Sequence, residues 1–163
     1  IETILEAGAI KVMVNTGAIA KPNLINDAAK AFGTQAISIG IEIKKTDGGY
    51  EPFVNNGRDP SARDPIEWAR EVEDRGAGEI VVTCIDRDGL GRGYDIDILG
   101  QIADVTSVPV IASGGYGKAE DIRALYDATP IRAFCIGREL HYQRQTVDGI
   151  KSELAAINIE VRQ

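Results

Sequence analysis

Two near-continuous apolar runs, Ile80-Val-Val-Thr-Cys-Ile85 and Val108-Pro-Val-Ile-Ala112, end in turns of small and acidic residues, Asp86-Arg-Asp-Gly89 and Ser113-Gly-Gly115. A helix-like segment follows each turn. A short strand that is apolar at nearly every position has to be covered on both faces, which antiparallel sheets rarely require and parallel sheets do. The repeated order of strand, small acidic turn and helix predicts a parallel α/β sheet with its chemistry at the carboxyl ends of the strands.

Three further strands fit the same pattern, giving five strand-then-helix units. They are Lys11–Asn15, Ala36–Ile43 and Arg132–Ile136, alongside Glu79–Ile85 and Val108–Ala112. Helices are expected from Pro22 to Gly33, Pro65 to Arg75, Asp95 to Val105, Lys118 to Asp127 and Thr146 to Ile157, with a short helical turn before the last. Asp64 before Pro65 is an N-cap signal, and Gly33 and Gly76 are stop signals. Asp47-Gly48-Gly49, between extended segments, predicts a β-hairpin excursion. Asn56–Asp64 reads as a loop and Asn158–Gln163 as a surface tail. The 163 residues suit one domain, 1–163, with no linker to divide it. Two architectures fit: an open doubly wound sheet, or a piece of a (βα)8 TIM barrel.

Charge and composition narrow the partners. A net charge of −7 argues against nucleic acid as a main partner, while backbone nests still let an acidic protein bind a phosphorylated small molecule. No apolar run is long enough to span a bilayer, and no charged-then-apolar leader is seen, so no membrane partner and a cytoplasmic location are expected. Cys84 and Cys135 both fall in apolar runs and are expected to be reduced core thiols. With a single histidine, His141, and no metal-ligand spacing, no metal is implied. His141 is expected on a helix surface and Trp68 in packing.

Candidate site residues sit at strand ends. Glu42 closes an alternating strand and is a candidate general acid or base, or else a solvated charge beside Lys44 and Lys45. Asp86 is a candidate to orient substrate or water. Asp88 with Gly89, and Ser113-Gly114-Gly115, permit close backbone approach to an anion; the alternative is tight turns with no ligand. Asn15-Thr16 follows the same logic with fewer glycines. Lys11 and Glu79, at strand starts, can pair with each other.

The ordered set Lys11-Val-Met-Val-Asn-Thr16, Phe32-Gly-Thr-Gln35, Trp68, Glu71-Val-Glu73, Arg75-Gly-Ala-Gly-Glu79, Ile85-Asp-Arg-Asp-Gly89, Gly93-Tyr-Asp95 and Ala112-Ser-Gly-Gly115 resembles the cyclase subunit of imidazole glycerol phosphate synthase, a histidine-pathway (βα)8 barrel. The resemblance runs along nearly the whole chain and begins at the end of that family's third helix, so it implies about five of eight βα units, an incomplete barrel. It implies phosphate sites at Asp88, Gly89, Gly115 and Gly137 and at Asn15 and Thr16, with Arg138 where a small hydroxyl residue is common. One of the family's two catalytic aspartates falls at Glu42, and the other has no counterpart here. Lys11 and Glu79 match charges that ring the family's ammonia entrance, and Ile10 replaces an aspartate associated with the glutaminase partner.

The resemblance therefore implies an ammonia-dependent ring closure and lysis of a phosphoribosyl-formimino-carboxamide nucleotide, without metal or organic cofactor and weak in this chain alone. Phosphate or a phosphorylated substrate is the expected ligand, and a glutaminase subunit the family's partner. Two alternatives stay open: a related barrel delivering ammonia for sugar amidination in surface polysaccharide synthesis, and a non-catalytic self-assembling fragment. Five strands cut from a barrel leave two edges and an apolar face, so a homo-oligomer is expected, with a flavodoxin-like open sheet or completion of the barrel by a further segment as the other resolutions.

Overall fold

A computed structural model describes residues 1–162. Seven strands form one sheet: β1 (Val12–Val14), β2 (Ile37–Thr46), β3 (Gly49–Val54), β4 (Asp59–Pro60), β5 (Glu79–Cys84), β6 (Val110–Ser113) and β7 (Ala133–Cys135). Five of them, β1-β2-β5-β6-β7, are parallel neighbours in chain order. The order never reverses, as it would in a doubly wound or flavodoxin-like sheet. The predicted hairpin is present: β2 runs on past its parallel partners and pairs antiparallel with β3 from Glu42↔Phe53 to Thr46↔Gly49.

The helices are α1 (Glu2–Glu6), α2 (Thr16–Ala20), α3 (Asn23–Phe32), α4 (Pro65–Asp74), α5 (Ile96–Val105), α6 (Ala119–Ala128), α7 (Arg138–His141) and α8 (Val147–Ala156). Local signals place several of their ends. The Asp64 carboxylate accepts from the amides of Ile66 and Glu67 at the start of α4, and Thr146 Oγ1 accepts from Gly149 at the start of α8. Asp121 accepts from the amides of Gly117 and Lys118 at the start of α6. Gly33 follows α3 with φ +85°, a conformation glycine adopts without cost. Among the described residues, no helix is long and apolar enough to cross a membrane.

The pleat divides the sheet into two unlike faces. On one, Ile37, Ile39, Ile41, Ile43, Ile80, Val82, Cys84, Val110 and Ala112 are buried in a single core with Trp68, Leu99, Ile102, Ile122 and Leu125 of the helices. The other face alternates with it and carries Met13, Ser38, Gly40, Glu42, Val81, Thr83, Ile111, Ser113 and Cys135. This face is unevenly covered: Met13 is 60% exposed, while Ser38 is 3% exposed.

Several expectations are corrected. Cys135 is exposed, not a core thiol, because its register puts it on the second, unevenly covered face. The tail is not all surface: Ile159 is buried and Val161 packs against the core, held in part by Arg123, which donates to the Ile157 carbonyl at 2.9 Å. Gln163, the tail's last residue, lies outside the described residues. The segment read as a loop after Asn56 contains β4, two residues long and paired with β3. Trp68 is packed and His141 exposed, as expected.

Candidate active site

The parallel register lines up the carboxyl ends of four strands. Glu42 of β2 is opposite Thr83 of β5, Thr83 opposite Ser113 of β6, and Ser113 opposite Cys135 of β7. These four side chains form one row on the face turned away from the core. Thr83 and Cys135 carry no signal as site residues in the sequence, because only the register shows that they neighbour Glu42 and Ser113.

At the β5–β7 end of the row lies a hollow of about 200 Å³, lined by Asp88, Gly89, Ser113, Gly114, Gly115, Tyr116, Cys135, Ile136, Gly137 and Arg138. All the phosphate-site candidates of this half are thus brought together. The glycines are required by close approach as well as by backbone angle. Gly114 has φ +82°, and a Cβ there would lie 2.7 Å from the Cys84 carbonyl oxygen. A Cβ on Gly115 (φ +128°) would run into the carbonyl of Gly93, whose own amide donates to the Gly115 carbonyl at 2.9 Å. The loop after β5 therefore docks backbone to backbone on the Ser-Gly-Gly turn. Arg138 spans the rim: its guanidinium lies where a Cβ on Gly91 would fall, and it pairs with the buried Glu139 at 2.8 Å.

The other end of the row is built around Glu42. Its Oε2 is buried and has no hydrogen-bond partner among the described residues, and the same holds for Asn15 Oδ1 and Ser38 Oγ. Unpaired buried polar atoms are rare and mark strain, water or a ligand position. The turn between β3 and β4 closes over this end. A Cβ on Gly57 would sit 3.8 Å from Glu42 Oε2, and the Asn55 amide donates to Thr16 Oγ1 at 3.0 Å. Asn15 and Thr16 thus lie beside Glu42, with the Thr16 hydroxyl already accepting one bond.

Asp86 stands apart from the row. Its Oδ2 accepts from the Lys45 amide at 2.6 Å, tying the extension of β2 to the turn after β5. Lys11 and Glu79 form an ion pair at the opposite, amino-terminal end of the sheet.

Titration behaviour limits the available chemistry. Partial desolvation of the otherwise exposed Cys135, with the charge of Glu79, raises its thiol above the usual range, so the row offers a neutral thiol near pH 7. Burial and the nearby carboxylate of Glu153 push the Tyr116 phenol up to about 12, so it lines the hollow as a neutral group. Among the described residues no group of three His, Cys, Asp or Glu side chains is arranged to hold a metal ion. The row offers one carboxylate, two hydroxyls and a neutral thiol, and at its end lies a hollow with Asp88 in its lining and the Arg138 cation at its rim.

The family model described as "Histidine biosynthesis protein" matches residues 1–146. Among curated proteins, the imidazole glycerol phosphate synthase subunit HisF of Natranaerobius thermophilus is 40% identical over 98% of this chain and 63% of its own length. The same subunit from Leuconostoc mesenteroides is 41% identical over 98% of this chain and 63% of its own. That from Lactococcus lactis is 40% identical over 98% and 62%. The chain therefore spans less than two thirds of the length of these relatives.

Proposed function

Because this chain belongs to the histidine biosynthesis protein family, we propose that its sheet represents five consecutive units of an eight-unit barrel and that its carboxyl-end row is part of a cyclase site for a phosphorylated substrate. The observation that carries this reading is the hollow at the ends of β5, β6 and β7. There Gly114 and Gly115 leave no room for a Cβ and Arg138 supplies a cation. Close backbone and a fixed cation suit a phosphate group, held by amide hydrogen bonds and charge.

In this reading the phosphate anchors one end of the substrate in the hollow, and the reacting centre lies along the row toward Glu42. Ammonia adds to the formimino-carboxamide nucleotide. Ring closure and cleavage, with loss of one water, then give imidazole glycerol phosphate and an aminoimidazole carboxamide ribotide. Glu42 takes a proton from the attacking nitrogen or returns one to the leaving group; its unpaired Oε2 is free for that bond. Thr83 and Ser113, between Glu42 and the hollow, supply neutral hydroxyls along the substrate's length. With a single carboxylate at the centre, the chain alone is slow. A glutaminase subunit is the proposed ammonia source for the complete enzyme, at the end of the sheet where Lys11 pairs with Glu79.

The test supplies ammonium directly and follows nucleotide consumption, with phosphate binding measured separately. Glu42→Gln is expected to lower turnover by about a hundredfold, the usual scale for loss of a general acid or base, and to leave phosphate affinity unchanged. Equal turnover in the two proteins removes Glu42 from the chemistry.

A further inference from the structure

The cation at the rim of the hollow is held from two sides by residues that do not line the hollow themselves. The first is Gly91, in the loop after β5. This loop docks on the turn after β6 at Gly91 as well as at Gly93, since a Cβ on Gly117 would lie 2.6 Å from the Gly91 carbonyl oxygen. Gly91 has φ +64°, in the left-handed region that favours glycine. The space left by its missing side chain is filled by Nη1 of Arg138. The second is Glu139, whose Oε1 is 2.8 Å from the same Arg138 nitrogen, with Arg144 farther off at 3.6 Å. Glu139 is 6% exposed, the one charged residue buried among those described. A carboxylate gives up much of its solvation when buried and needs a cation fixed against it. Arg138 forms no other ion pair among the described residues, and a guanidinium has five N–H donors, so donors remain for a ligand.

Resting on the phosphate reading of the hollow, we propose that Gly91 and Glu139 are positioning residues for the Arg138 guanidinium and that they set the affinity of the hollow for a phosphate group. Neither touches the hollow; both act through Arg138. A free arginine side chain loses considerable rotamer entropy when a ligand orders it. Here the seat on Gly91 and the bond to Glu139 order it beforehand, so less is lost on binding. Charge alone predicts the opposite for Glu139. A carboxylate behind the cation weakens the field that an anion feels, so any gain in affinity from Glu139 has to come from geometry. Gly91 works by absence: a Cβ there would displace the guanidinium, the far end of a flexible side chain, without changing any charge.

The experiment is titration calorimetry of this chain with inorganic phosphate, on Gly91→Ala, Glu139→Leu and Glu139→Gln, each alone and combined with Arg138→Met. Circular dichroism and urea unfolding verify that each variant folds. Arg138→Met keeps the stem, removes the donors and is expected to weaken phosphate binding about tenfold or more. Gly91→Ala and Glu139→Leu should each weaken it at least about fivefold, Glu139→Leu doing so although it removes a negative charge. Glu139→Gln keeps an acceptor for the guanidinium and should bind within about twofold of the unaltered chain, or tighter. In the Arg138→Met background, Gly91→Ala and Glu139→Leu should cause no further loss, because the group they position is gone. Full affinity in Gly91→Ala or in Glu139→Leu overturns the proposal. So does a loss of the same size with and without Arg138, which would mean damage to the loop itself, or a Glu139→Gln variant as weak as Glu139→Leu. An Arg138→Met variant that binds phosphate as the unaltered chain does sinks the phosphate reading of the hollow, and the positioning roles with it.

Discussion

Replacing Gly137 with aspartate tests the hollow with the least disturbance of the fold. Gly137 is exposed, has φ −111°, and a Cβ there meets nothing within 4 Å. A side chain fits with neither clash nor backbone strain. Gly115 is a poor site for the same test, because any Cβ strikes the Gly93 carbonyl and the protein would respond by moving. A hollow of about 200 Å³ places a carboxylate on its rim about 5 Å from a bound phosphate. With an effective dielectric of about 40 for a half-open site, one pair of like charges at that distance costs about 1.7 kcal/mol. A phosphate carrying between one and two charges, partly screened by salt, raises this to about 2 kcal/mol, or roughly thirtyfold in affinity. Gly137→Asn has nearly the same volume and no charge, so it should bind phosphate within a few fold of the unaltered chain. Titration calorimetry gives the affinities, and urea unfolding checks that stability stays within about 0.5 kcal/mol, as for ordinary surface changes. Unchanged affinity in the aspartate variant, or equal loss in both, would refute a phosphate held in this hollow by charge and backbone.

Alkaline pH should loosen the fold in a defined window. Burial and the Asp95 carboxylate, which accepts from the Tyr50 hydroxyl at 2.9 Å, raise Tyr50 from 10 to about 12, and burial raises Cys84 from 9 to about 12. Groups whose folded pKa lies above the unfolded value contribute stability that is whole below the unfolded pKa and lost as pH rises through the folded one. The urea midpoint should therefore hold near neutrality and fall between about pH 9 and 12; a flat midpoint across that range would count against the buried environments. Asp95→Asn should lower the Tyr50 pKa in an ultraviolet titration. Cys135 is exposed and Cys84 buried, so a disulfide reagent should modify one thiol per folded chain and two in denaturant, and Cys135→Ser should abolish the first.

Much of the architecture is legible because local and global signals agree. Ile37, Ile39, Ile41 and Ile43 recur at the strand period and all are buried; Asp64-Pro65 opens α4 as that dipeptide suggests. The misses share one cause: they depend on what lies across the sheet. Cys135 sits in an apolar run and reads as core, yet its register turns it to the second face, where it is exposed. Ile159 and Val161 are two apolar residues in a polar tail, and only the core beside them shows that they pack. Thr83 is an unremarkable strand threonine until the register sets it between Glu42 and Ser113. The bond from the Lys45 amide to Asp86 joins residues far apart in sequence, and only the fold brings them together.

The pleat also separates stability from chemistry along single strands, and adjacent residues of β5 make this measurable. Val82 is fully buried in the helix-covered core, while Val81 points to the second face and is half-buried. Val82→Ala removes two buried carbons and leaves a cavity, at a cost of about 2–3 kcal/mol. Val81→Ala removes the same atoms from a partly wet surface and should cost under about 1 kcal/mol where that face is open. Wherever a second sheet covers the face, the two costs should converge. Urea unfolding of both variants at low and high chain concentration therefore reports the cover directly: a gap that narrows as concentration rises means a copy has closed over the second face. Equal costs in dilute chain would mean that one chain already buries both faces, against the alternation of covered and open residues from which the site was built.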